Sequence, residues 1–380
     1  MVTERRRMGR VTAVSTSSPR PPPRDGGRPT HSGAAMTKLD IESHARESRT
    51  PSSREATRAA QGPIGTFAGR IVREANLLII PMILLIVALS FFSDAFFTGH
   101  NLTNILRTAA IFVILGVGQT FVITSKNIDL SIGSMMALVL CVTASLIIVQ
   151  DWSPHLAVPF AIAMGAVLGV LNGMVVTKLK VPALLATLGG LIAYRGAVQE
   201  FMYGGQYVGL PEQILILGRG MWGPVPVPVA IAGFCVALGW LLFRYTRFGR
   251  YTVAIGSNEE AARRAGINVD RWTIGVFAFQ GAMVGVAALV LMGRMNAANP
   301  NMGQLNELHV IAGVVLGGTL LFGGIGTILG TVLGLLFIGV LENGLLLAGA
   351  GFYWQQIFLG LLIILAVASQ MLRIKLQGRH

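Results

Sequence analysis

Ten stretches of this chain are close to 20 residues long and almost wholly apolar. A helix needs about 20 consecutive apolar residues to cross the hydrocarbon core of a bilayer, whereas a surface helix of a soluble protein carries polar residues on one face. The stretches lie at 77–97, 104–124, 130–149, 156–177, 182–202, 225–243, 272–292, 308–323, 326–347 and 353–372. The sequence therefore predicts an all-α polytopic membrane protein with about ten transmembrane helices.

The composition excludes a soluble domain. Hydrophobic residues make up 53% of the chain and charged residues 12%, and the mean hydropathy is +0.65. A soluble domain carries about 25% charged residues. The net charge of +13 is also found in nucleic-acid-binding proteins, but about half of the excess lies before residue 77, with 14 Lys or Arg against seven Asp or Glu. We therefore expect no nucleic-acid partner.

The first 70 residues differ in composition from the rest. They are rich in Arg, Pro, Ser and Gly and poor in aromatic residues, a composition that buries too little surface to offset chain entropy. We interpret residues 1–70 as a disordered basic tail and residues 71–376 as a transmembrane domain. Met36 begins an ordinary N-terminal sequence, so residues 1–35 are expected to be dispensable. A basic arm that contacts lipid headgroups is the alternative.

Lys and Arg are unevenly distributed between alternate loops. The opposite set of loops offers only Arg107, Arg219 and Arg294. Cytoplasmic loops carry the excess of Lys and Arg in membrane proteins. We therefore expect both termini and the loop of residues 244–271 to lie in the cytoplasm. The residues of the basic set are Lys126, Lys178, Lys180, Arg244, Arg247, Arg250, Arg263, Arg264, Arg271, Arg373, Lys375 and Arg379.

A short charged segment lies inside the 244–271 loop. Ser257 and Glu260 have the spacing of a capping box, and Gly266 stands where a left-handed C-terminal cap is expected. The helix between them has barely two turns and is marginal alone, because nucleation is costly. We therefore expect a partner protein to hold it, with a solvated connector as the alternative. The candidate partner-contacting residues are Ser257, Glu259, Glu260, Ala261, Ala262, Arg263 and Gly266.

Polar residues are rare within the apolar stretches, and burying one without a partner is costly. Asp129 is predicted to cap the third helix, with direct solute contact as the alternative. Glu342 and Asn343 lie far from the expected helix ends, so we expect them to face a cavity. Gln280 and His309 also lie in apolar stretches, and hydrogen bonds to neighbouring residues are an alternative explanation for their presence there. The candidate solute-pathway residues are Asn127, Asp129, Ser131, Gln280, His309, Glu342 and Asn343.

One apolar run is interrupted by glycine. Residues 314–326 contain five glycines, and the run is short for a full crossing. Irregular backbone survives at membrane depth only where protein or a cavity surrounds it. The run predicts one broken or re-entrant segment.

The chain carries no motif for catalysis, a metal, a cofactor or a nucleotide. Cys141 and Cys235 lie in apolar runs without a CxxC pattern or a neighbouring His, so we interpret them as small buried residues. A phosphate-binding Walker A loop ends in Gly-Lys-[Ser/Thr], and none of the five lysines follows a glycine. The protein is therefore not expected to be an enzyme, and the energy for any transport must come from elsewhere.

Several motifs, in order and spacing, resemble those of the ribose, xylose and arabinose type of ABC importer permease. The resemblance covers about residues 77–375. It implies a pore-forming subunit of the bacterial inner membrane that pairs with a second permease copy, docks on a double-cassette ABC ATPase and receives solute from an extracytoplasmic sugar-binding protein. The 257–266 segment resembles the coupling helix that enters a cleft on that ATPase. The motifs are Asn-Ile-Asp-Leu-Ser-Ile-Gly-Ser at 127–134, Val-Pro-Ala-Leu-Leu-Ala-Thr-Leu-Gly at 181–189, Arg-Tyr-Thr-Arg-Phe-Gly-Arg-Tyr at 244–251, Gly-Ser-Asn-Glu-Glu-Ala-Ala-Arg-Arg-Ala-Gly-Ile-Asn-Val at 256–269 and Ala-Gly-Val-Val-Leu-Gly-Gly-Thr at 312–319.

The resemblance departs from the family pattern at three candidate pathway positions. Asn127, His309 and Glu342 stand where the family has Gly, Asp and Asn, which indicates an unusual sugar or polyol. A permease for branched-chain amino acids or another small solute is the alternative within the same superfamily. An ion-coupled carrier, in which Asp129 and Glu342 bind the coupling ion, is a second alternative.

Overall fold

The computed structural model describes residues 63–377, and the helices account for most of them. In chain order the helices are α1 (Pro63–Phe92), α2 (Gly99–Thr124), α3 (Ile132–Ile148), α4 (Pro154–Lys178), α5 (Ala183–Met202), α6 (Glu212–Arg219), α7 (Val227–Tyr245), α8 (Arg247–Ser257), α9 (Glu259–Arg264), α10 (Val269–Met295), α11 (Asn306–Leu316), α12 (Ile328–Leu347) and α13 (Phe352–Gln377). Two short antiparallel strand pairs join β1 (Tyr207–Val208) to β4 (Ala297–Ala298) and β2 (Met221–Trp222) to β3 (Val225–Pro226).

Each predicted membrane stretch overlaps a helix of the described chain, although the helix of the stretch 308–323 ends at Leu316, and not all of these helices qualify as spans. Six helices, α2, α4, α7, α10, α12 and α13, are long and apolar enough to cross a membrane. Three others are apolar but shorter, with apolar parts at Leu78–Phe92, Ile132–Ile148 and Asn306–Leu316. The architecture is therefore a helical bundle with six candidate spans.

Two predicted boundaries change. Helix α1 begins at Pro63, before the predicted end of the N-terminal tail at residue 70, and the remaining tail residues 1–62 lie outside the described residues. The loop of residues 244–271 contains two helices, α8 and α9, where the sequence analysis predicted one. Helix α8 is amphipathic and contains no long apolar run, so the pattern that predicts the membrane helices does not predict it.

Helix α2 occupies the centre of the bundle. Its most apolar part is 83% buried, against 17% for α13, and it packs against α7, α10, α11 and α12. Phe121 of α2 is fully buried and lies 5.1 to 5.2 Å, between ring centroids, from Phe243, Phe248 and Phe279. These rings come from α7, α8 and α10, so one aromatic cluster joins the core to the 244–271 loop.

The most extensive helix pair is α4 with α10. A Cβ atom built on Gly165 would lie 2.2 Å from the carbonyl oxygen of Gly281, and one on Gly169 would lie 2.1 Å from that of Phe277. Only glycine allows the two backbones to approach so closely. Because there is no hydrophobic effect between helices in lipid, the dispersion attraction from this close packing holds the pair together.

Helix α11 ends at Leu316, and an irregular segment, residues 317–327, connects it to α12. We call this stretch the broken segment. Gln370 of α13 donates from Nε2 to the carbonyl oxygens of Val315 and Thr319, at 2.9 Å each. At its far side, Gly324 N–H donates to the carbonyl oxygen of Thr124 at 2.9 Å. The irregular backbone is thus hydrogen-bonded to neighbouring protein on both sides.

The bundle has two ends that matter for function. We call the end that carries α9, Thr124 and Gly324 the α9 end. The end that carries the start of α2 and the end of α12, including Asn101 and Asn343, is the far end. Helix α10 runs from the α9 end, at Val269, toward the far end.

Candidate coupling element and polar centre

Helix α9 begins at a different cap from the predicted one. The Oδ1 atom of Asn258 accepts a hydrogen bond from Ala261 N–H at 2.9 Å, so Asn258 is the N-cap. Ser257 is instead the last residue of α8, and its hydroxyl donates to the carbonyl oxygen of Val253 at 2.8 Å. The predicted capping box between Ser257 and Glu260 is therefore wrong, since the cap lies one residue later.

The end of α9 has the predicted glycine cap. Gly266 has a φ of +82°. Its N–H donates to the carbonyl oxygen of Arg263 at 3.1 Å, and Ile267 N–H donates to that of Ala262 at 3.1 Å. This pair of bonds is the Schellman motif, which satisfies helix-end carbonyls that otherwise lack donors.

The protein itself holds α9 in place. Ala262 is buried and packs in a small cluster with Ile255 of α8 and Val269 of α10, next to Ile267 and Trp272. The expectation that a partner protein must hold this helix is therefore wrong. The other side chains of the helix, including Ala261, are exposed.

The exposed face of α9 is charged. Glu259 pairs with Arg263 at 3.0 Å, and Glu260 pairs with Arg264, each pair one helical turn apart. The hydrogen bond to Glu259 is the main cause that raises the pKa of Arg263. Such exposed pairs contribute little to folding stability, so the charges are available for contacts outside the chain.

A second charged group surrounds Asp270, at the start of α10. Its carboxylate lies 3.4 Å from Arg263 and 3.5 Å from both Lys178 and Lys180. Lys178 is the last residue of α4, and Lys180 lies in the turn between α4 and α5. The turn, α9 and α10 are thus linked electrostatically, beside a cavity of about 480 Å³ that Lys126, Asn127, Lys180, Glu259 and Asp270 help to line.

Gly256, the residue before Ser257, connects the loop of residues 244–271 to the broken segment. A Cβ atom on Gly256 would lie 1.7 Å from the carbonyl oxygen of Thr124 and 2.7 Å from the N atom of Gly324. The backbones of α8, α2 and the broken segment therefore meet with no room for a side chain. A displacement of α8 must move the other two.

Asp129 and Ser131 form one buried polar group at the start of α3. Asp129 Oδ1 accepts from Ser131 N–H at 2.8 Å and from the Ser131 hydroxyl at 2.6 Å. The Ser131 hydroxyl also accepts from Asn172 at 2.8 Å, and Asn172 Oδ1 accepts from the Tyr194 hydroxyl at 2.9 Å. Ser131 occupies the N-cap position of α3, so Asp129 stabilises the preceding turn instead of capping the helix directly as predicted.

Glutamines and Glu307 extend this group, which we call the polar centre and define as Gln119, Asp129, Ser131, Asn172, Gln280 and Glu307. Gln119 donates to the Asp129 carbonyl oxygen at 3.3 Å. Gln280 lies against Gly118, where a Cβ atom would be 2.0 Å from its Oε1, and Glu307 lies against Gly133 in the same way at 2.3 Å. The group therefore spans α2, α3, α4, α10 and α11.

Five atoms of the polar centre are buried without a hydrogen-bond partner among the described residues. They are Gln119 Oε1, Asp129 Oδ2, Gln280 Nε2, Gln280 Oε1 and Glu307 Oε2. An unsatisfied buried polar atom costs about 1–3 kcal/mol, so five of them in one place are expensive. Such a set supplies both donors and acceptors to water or to a polar solute.

His309 and Glu342 form a pair on the far-end side of the polar centre, since His309 lies two residues after Glu307 on α11 and Glu342 precedes Asn343 on α12. The His309 Nε2 atom contacts Glu342 Oε1, its Nδ1 lies 2.8 Å from the Leu305 carbonyl oxygen, and its ring stacks on Phe112 at 5.3 Å. Glu342 lies close to the C-terminal end of α12 at Leu347. The expectation that no helix end is near it is therefore wrong.

The amides of the other two candidate residues are hydrogen-bonded within the protein. Asn343 exchanges two hydrogen bonds with Asn101, at 2.8 and 3.0 Å, and so joins α12 to α2. Asn127 donates to the Ser125 carbonyl and hydroxyl oxygens at 3.0 Å each. The seven candidate pathway residues thus fall into three places: the α9 end, the polar centre and the far end.

Sequence analysis missed several residues of these sites, namely Gln119, Asn172, Gly256, Glu307 and Gln370 as members of a network. Asn172 and Gln370 each stand as an isolated amide within a long apolar run, which is the signal that identifies them. The contact at Gly256 leaves no mark in the sequence. No cluster of metal-ligating side chains is present among the described residues.

Comparison with known proteins identifies the family. The family described as a permease component of the branched-chain amino acid transport system matches residues 101–367. The ribose import permease protein RbsC of Escherichia coli K12 is 40% identical over 293 residues, which cover 76% of this chain and 91% of that protein. RbsC of Bacillus subtilis 168 is 38% identical over 288 residues (75% and 89%). The xylose transport system permease protein XylH of E. coli K12 is 33% identical over 369 residues (80% and 93%). No solved structure matches the chain.

Long apolar helices around buried polar groups are typical of a membrane transport protein, and the family match defines the class as a permease. The chain belongs to the family of transport-system permease components, and the sequence resemblance to ABC importer permeases is confirmed. It is a permease subunit and not an enzyme.

Proposed function

We propose that the protein forms the translocation pathway of an ABC importer for a monosaccharide or a related polyol in the bacterial inner membrane. The relatives named above are ribose and xylose permeases, and they match over most of their own length. The alternative of a branched-chain amino acid permease has only the general description of the family in its favour.

The polar centre is the observation that carries this proposal. A sugar hydroxyl donates one hydrogen bond and accepts others. The unpartnered atoms of Gln119, Asp129, Gln280 and Glu307 offer both kinds of group. A solute that satisfies them during passage repays the cost of burying them. We propose Asp129, Ser131 and Gln280 as pathway residues in contact with this solute.

His309 and Glu342 are proposed to select the solute at the far end. Both depart from the pattern of the sugar permeases, and the structure brings these two departures into contact. Because the two side chains are in contact, the departure at one position is matched by the departure at the other. Asn343 and Asn127, whose amides bond to neighbouring residues, are proposed to shape the pathway ends and not to bind solute.

Helix α9 is proposed as the element that docks on a double-cassette ATPase. Its caps and Ala262 fix its position, while Glu259, Glu260 and Arg263 remain exposed for a partner. Asn258 and Gly266 set its ends, and Ser257, at the end of α8, and the exposed Ala261 are proposed to contact the ATPase beside it. Gly256 then connects its motion to α2 and the broken segment.

The proposed assembly has a second permease copy, which is identical or closely similar, and an extracytoplasmic sugar-binding protein at the far end. Both termini are proposed to lie in the cytoplasm, with about ten spans in total, because the basic loops then share one side. Helices α5 and α13 expose many apolar side chains, including Leu185, Ile192, Ile364 and Leu365, for lipid or the second copy.

The test is uptake by proteoliposomes that contain the chain, its ATPase and its binding protein. We expect ATP-dependent uptake of a labelled sugar and none of leucine, and no ATP hydrolysis by the chain alone. Leucine uptake, or uptake driven by a proton or sodium gradient without ATP, contradicts the proposal.

Gln280→Leu removes two unpartnered atoms and should leave thermal stability unchanged or higher while uptake falls. Ser369→Ala, at a hydroxyl bonded within α13, is the matched control.

A further inference from the structure

Three arginines that break the charge asymmetry of the loops lie together at the far end. Arg107 donates from Nη2 to the carbonyl oxygen of Arg219 at 2.7 Å, and Arg219 donates from Nε to that of Arg294 at 2.7 Å. We call Arg107, Arg219 and Arg294 the arginine triad. They come from α2, α6 and α10, so the fold brings together three arginines that the sequence keeps far apart, and the charges of Arg107 and Arg294 lie close enough to repel each other.

The triad lacks neutralising charge within the described part of the chain. The ion pairs found there involve other residues, and no carboxylate approaches these three guanidinium groups within ion-pair distance. Their bonds go to carbonyl oxygens and, from Arg107, to the Met221 sulfur at 3.4 Å. The Arg107 Nε atom is buried with no partner. Like charges gathered in this way call for an anion.

An apolar groove begins one helical turn below the triad. Its volume is about 460 Å³, and every side chain that lines it is apolar. Leu217 of α6 and Val290 of α10 lie at the end near Arg219 and Arg294, and Phe279 of α10 lies at the other end. Phe279 to Val290 spans about 16 Å along a helix at 1.5 Å per residue. One leaflet of a bilayer core is about 15 Å thick.

The surface beside the triad has the composition of a membrane interface. The hairpin of β2 and β3 exposes Met221, Trp222 and Val225, with 77% of Trp222 accessible. Trp at the level of lipid headgroups is typical of membrane proteins, and long Arg side chains reach headgroups from helix ends. This side of the far end therefore faces lipid and not the interior of the bundle.

We propose that the triad and the groove form a binding site for one anionic phospholipid. The phosphate and the anionic headgroup contact Arg107, Arg219 and Arg294, and one acyl chain lies in the groove between α4, α7 and α10. The site is separate from the polar centre and from α9. A carboxylate of a docked protein would satisfy the charges, but it would leave the apolar groove unused.

The test is native mass spectrometry of the delipidated full chain with added lipid. We expect one phosphatidylglycerol to bind at least tenfold more tightly than phosphatidylcholine, which is a factor that 1.4 kcal/mol provides. Arg219→Gln, at an exposed side chain, should weaken phosphatidylglycerol binding about tenfold. Ala282→Phe, which fills the groove, should weaken both lipids. Arg247→Gln, an exposed arginine at the α9 end, is the control and should change nothing.

Three results overturn the proposal. Equal affinity for the two lipids shows that the triad does not select an anion. Inorganic phosphate that displaces phosphatidylglycerol completely shows a free-phosphate site. If Ala282→Phe leaves lipid affinity unchanged while Arg219→Gln lowers capture of the sugar-binding protein, the triad is a protein docking site. Retention of the size-exclusion profile and of Tm in Arg219→Gln separates each of these results from misfolding.

Discussion

The two ends of the bundle handle charge in opposite ways. At the α9 end, Glu259, Glu260, Arg263 and Arg264 are exposed and pair loosely with one another. At the far end, His309 and Glu342 are mostly buried and form a single defined pair. Exposed pairs add little to stability, whereas one member of a buried pair is costly to remove.

Because of this difference, substitutions at the two ends should affect stability and function in different ways. At the α9 end the charged side chains can change with little cost to the fold, so their purpose must be sought in contacts with a partner. At the far end, His309 and Glu342 are bonded to each other, so a substitution of either one should lower stability as well as affect the proposed passage of solute. The exception at the α9 end is the close backbone contact at Gly256 of α8. There the lack of a side chain, and not charge, determines the effect of a substitution on stability.

The largest loss of stability is expected at that exception. Gly256→Leu places a side chain where a Cβ atom would already be 1.7 Å from the carbonyl oxygen of Thr124. Overpacking usually costs about 1–3 kcal/mol, and here backbone has to move, so we expect the upper part of that range or more. Thermal unfolding in detergent measures the change. Gly233→Leu, where nothing lies within 4 Å of the Cβ position, should keep the wild-type Tm.

A smaller loss is expected at the far end. Glu342→Leu removes the partner of His309, and partial exposure of both side chains, 22% and 17%, limits the cost to about 1–3 kcal/mol. Insertion into the membrane should be normal, while uptake rate and apparent affinity change. The double variant His309→Asp with Glu342→Asn restores the family pattern and should recover the Tm. Unchanged uptake in Glu342→Leu would show a purely structural role.

The sequence predicts helices better than it predicts contacts. The apolar runs locate every long helix because bilayer thickness sets their length. Gly165, Gly169 and Gly173 repeat every fourth residue and so share one helix face, a pattern that indicates the close packing found between α4 and α10. The break after Leu316 was also visible in the five glycines of 314–326.

The site was only partly predictable. Asp129 and Ser131 are two residues apart, so their bond is local and the sequence indicates it. The contact between His309 and Glu342, and the bond between Asn101 and Asn343, join residues far apart in the chain. Spacing rules do not reach such pairs. The cap at Asn258 was missed because Ser257 also fits the pattern one residue earlier, and only the backbone decides between them.

A modest loss is expected at the end of α9. Gly266 has a φ of +82° with nothing within 4 Å of its Cβ position, so Gly266→Val meets no neighbour but forces a β-branched residue into the left-handed region. The cost is about 1–2 kcal/mol. Gly266→Asn tolerates that conformation better and should lose less than half as much. A Tm equal in the two variants would show that the loop adopts another backbone.

The smallest change in stability is expected for Glu260→Lys. Glu260 is exposed, and its pair with Arg264 is a surface pair, so Tm should fall by no more than about 2–4 °C. Lys in the first turn opposes the helix dipole and repels Arg264, but Asn258, Ala262 and Gly266 still hold the helix. The charge that we propose to face the ATPase is nevertheless reversed. We therefore expect normal membrane abundance, weaker co-purification of the ATPase and loss of transport-coupled ATP hydrolysis, while the binding protein still docks at the far end.

Arg250→Glu is a suitable control for Glu260→Lys, because it reverses an exposed charge of the same loop outside α9. If the two variants lose ATPase to the same extent, the whole basic loop and not α9 is the docking surface. If Glu260→Lys retains wild-type amounts of ATPase and normal uptake, α9 is a solvated connector. The two ends would then differ only in how far their charged side chains are buried, because the exposed charges at the α9 end would contact no partner protein.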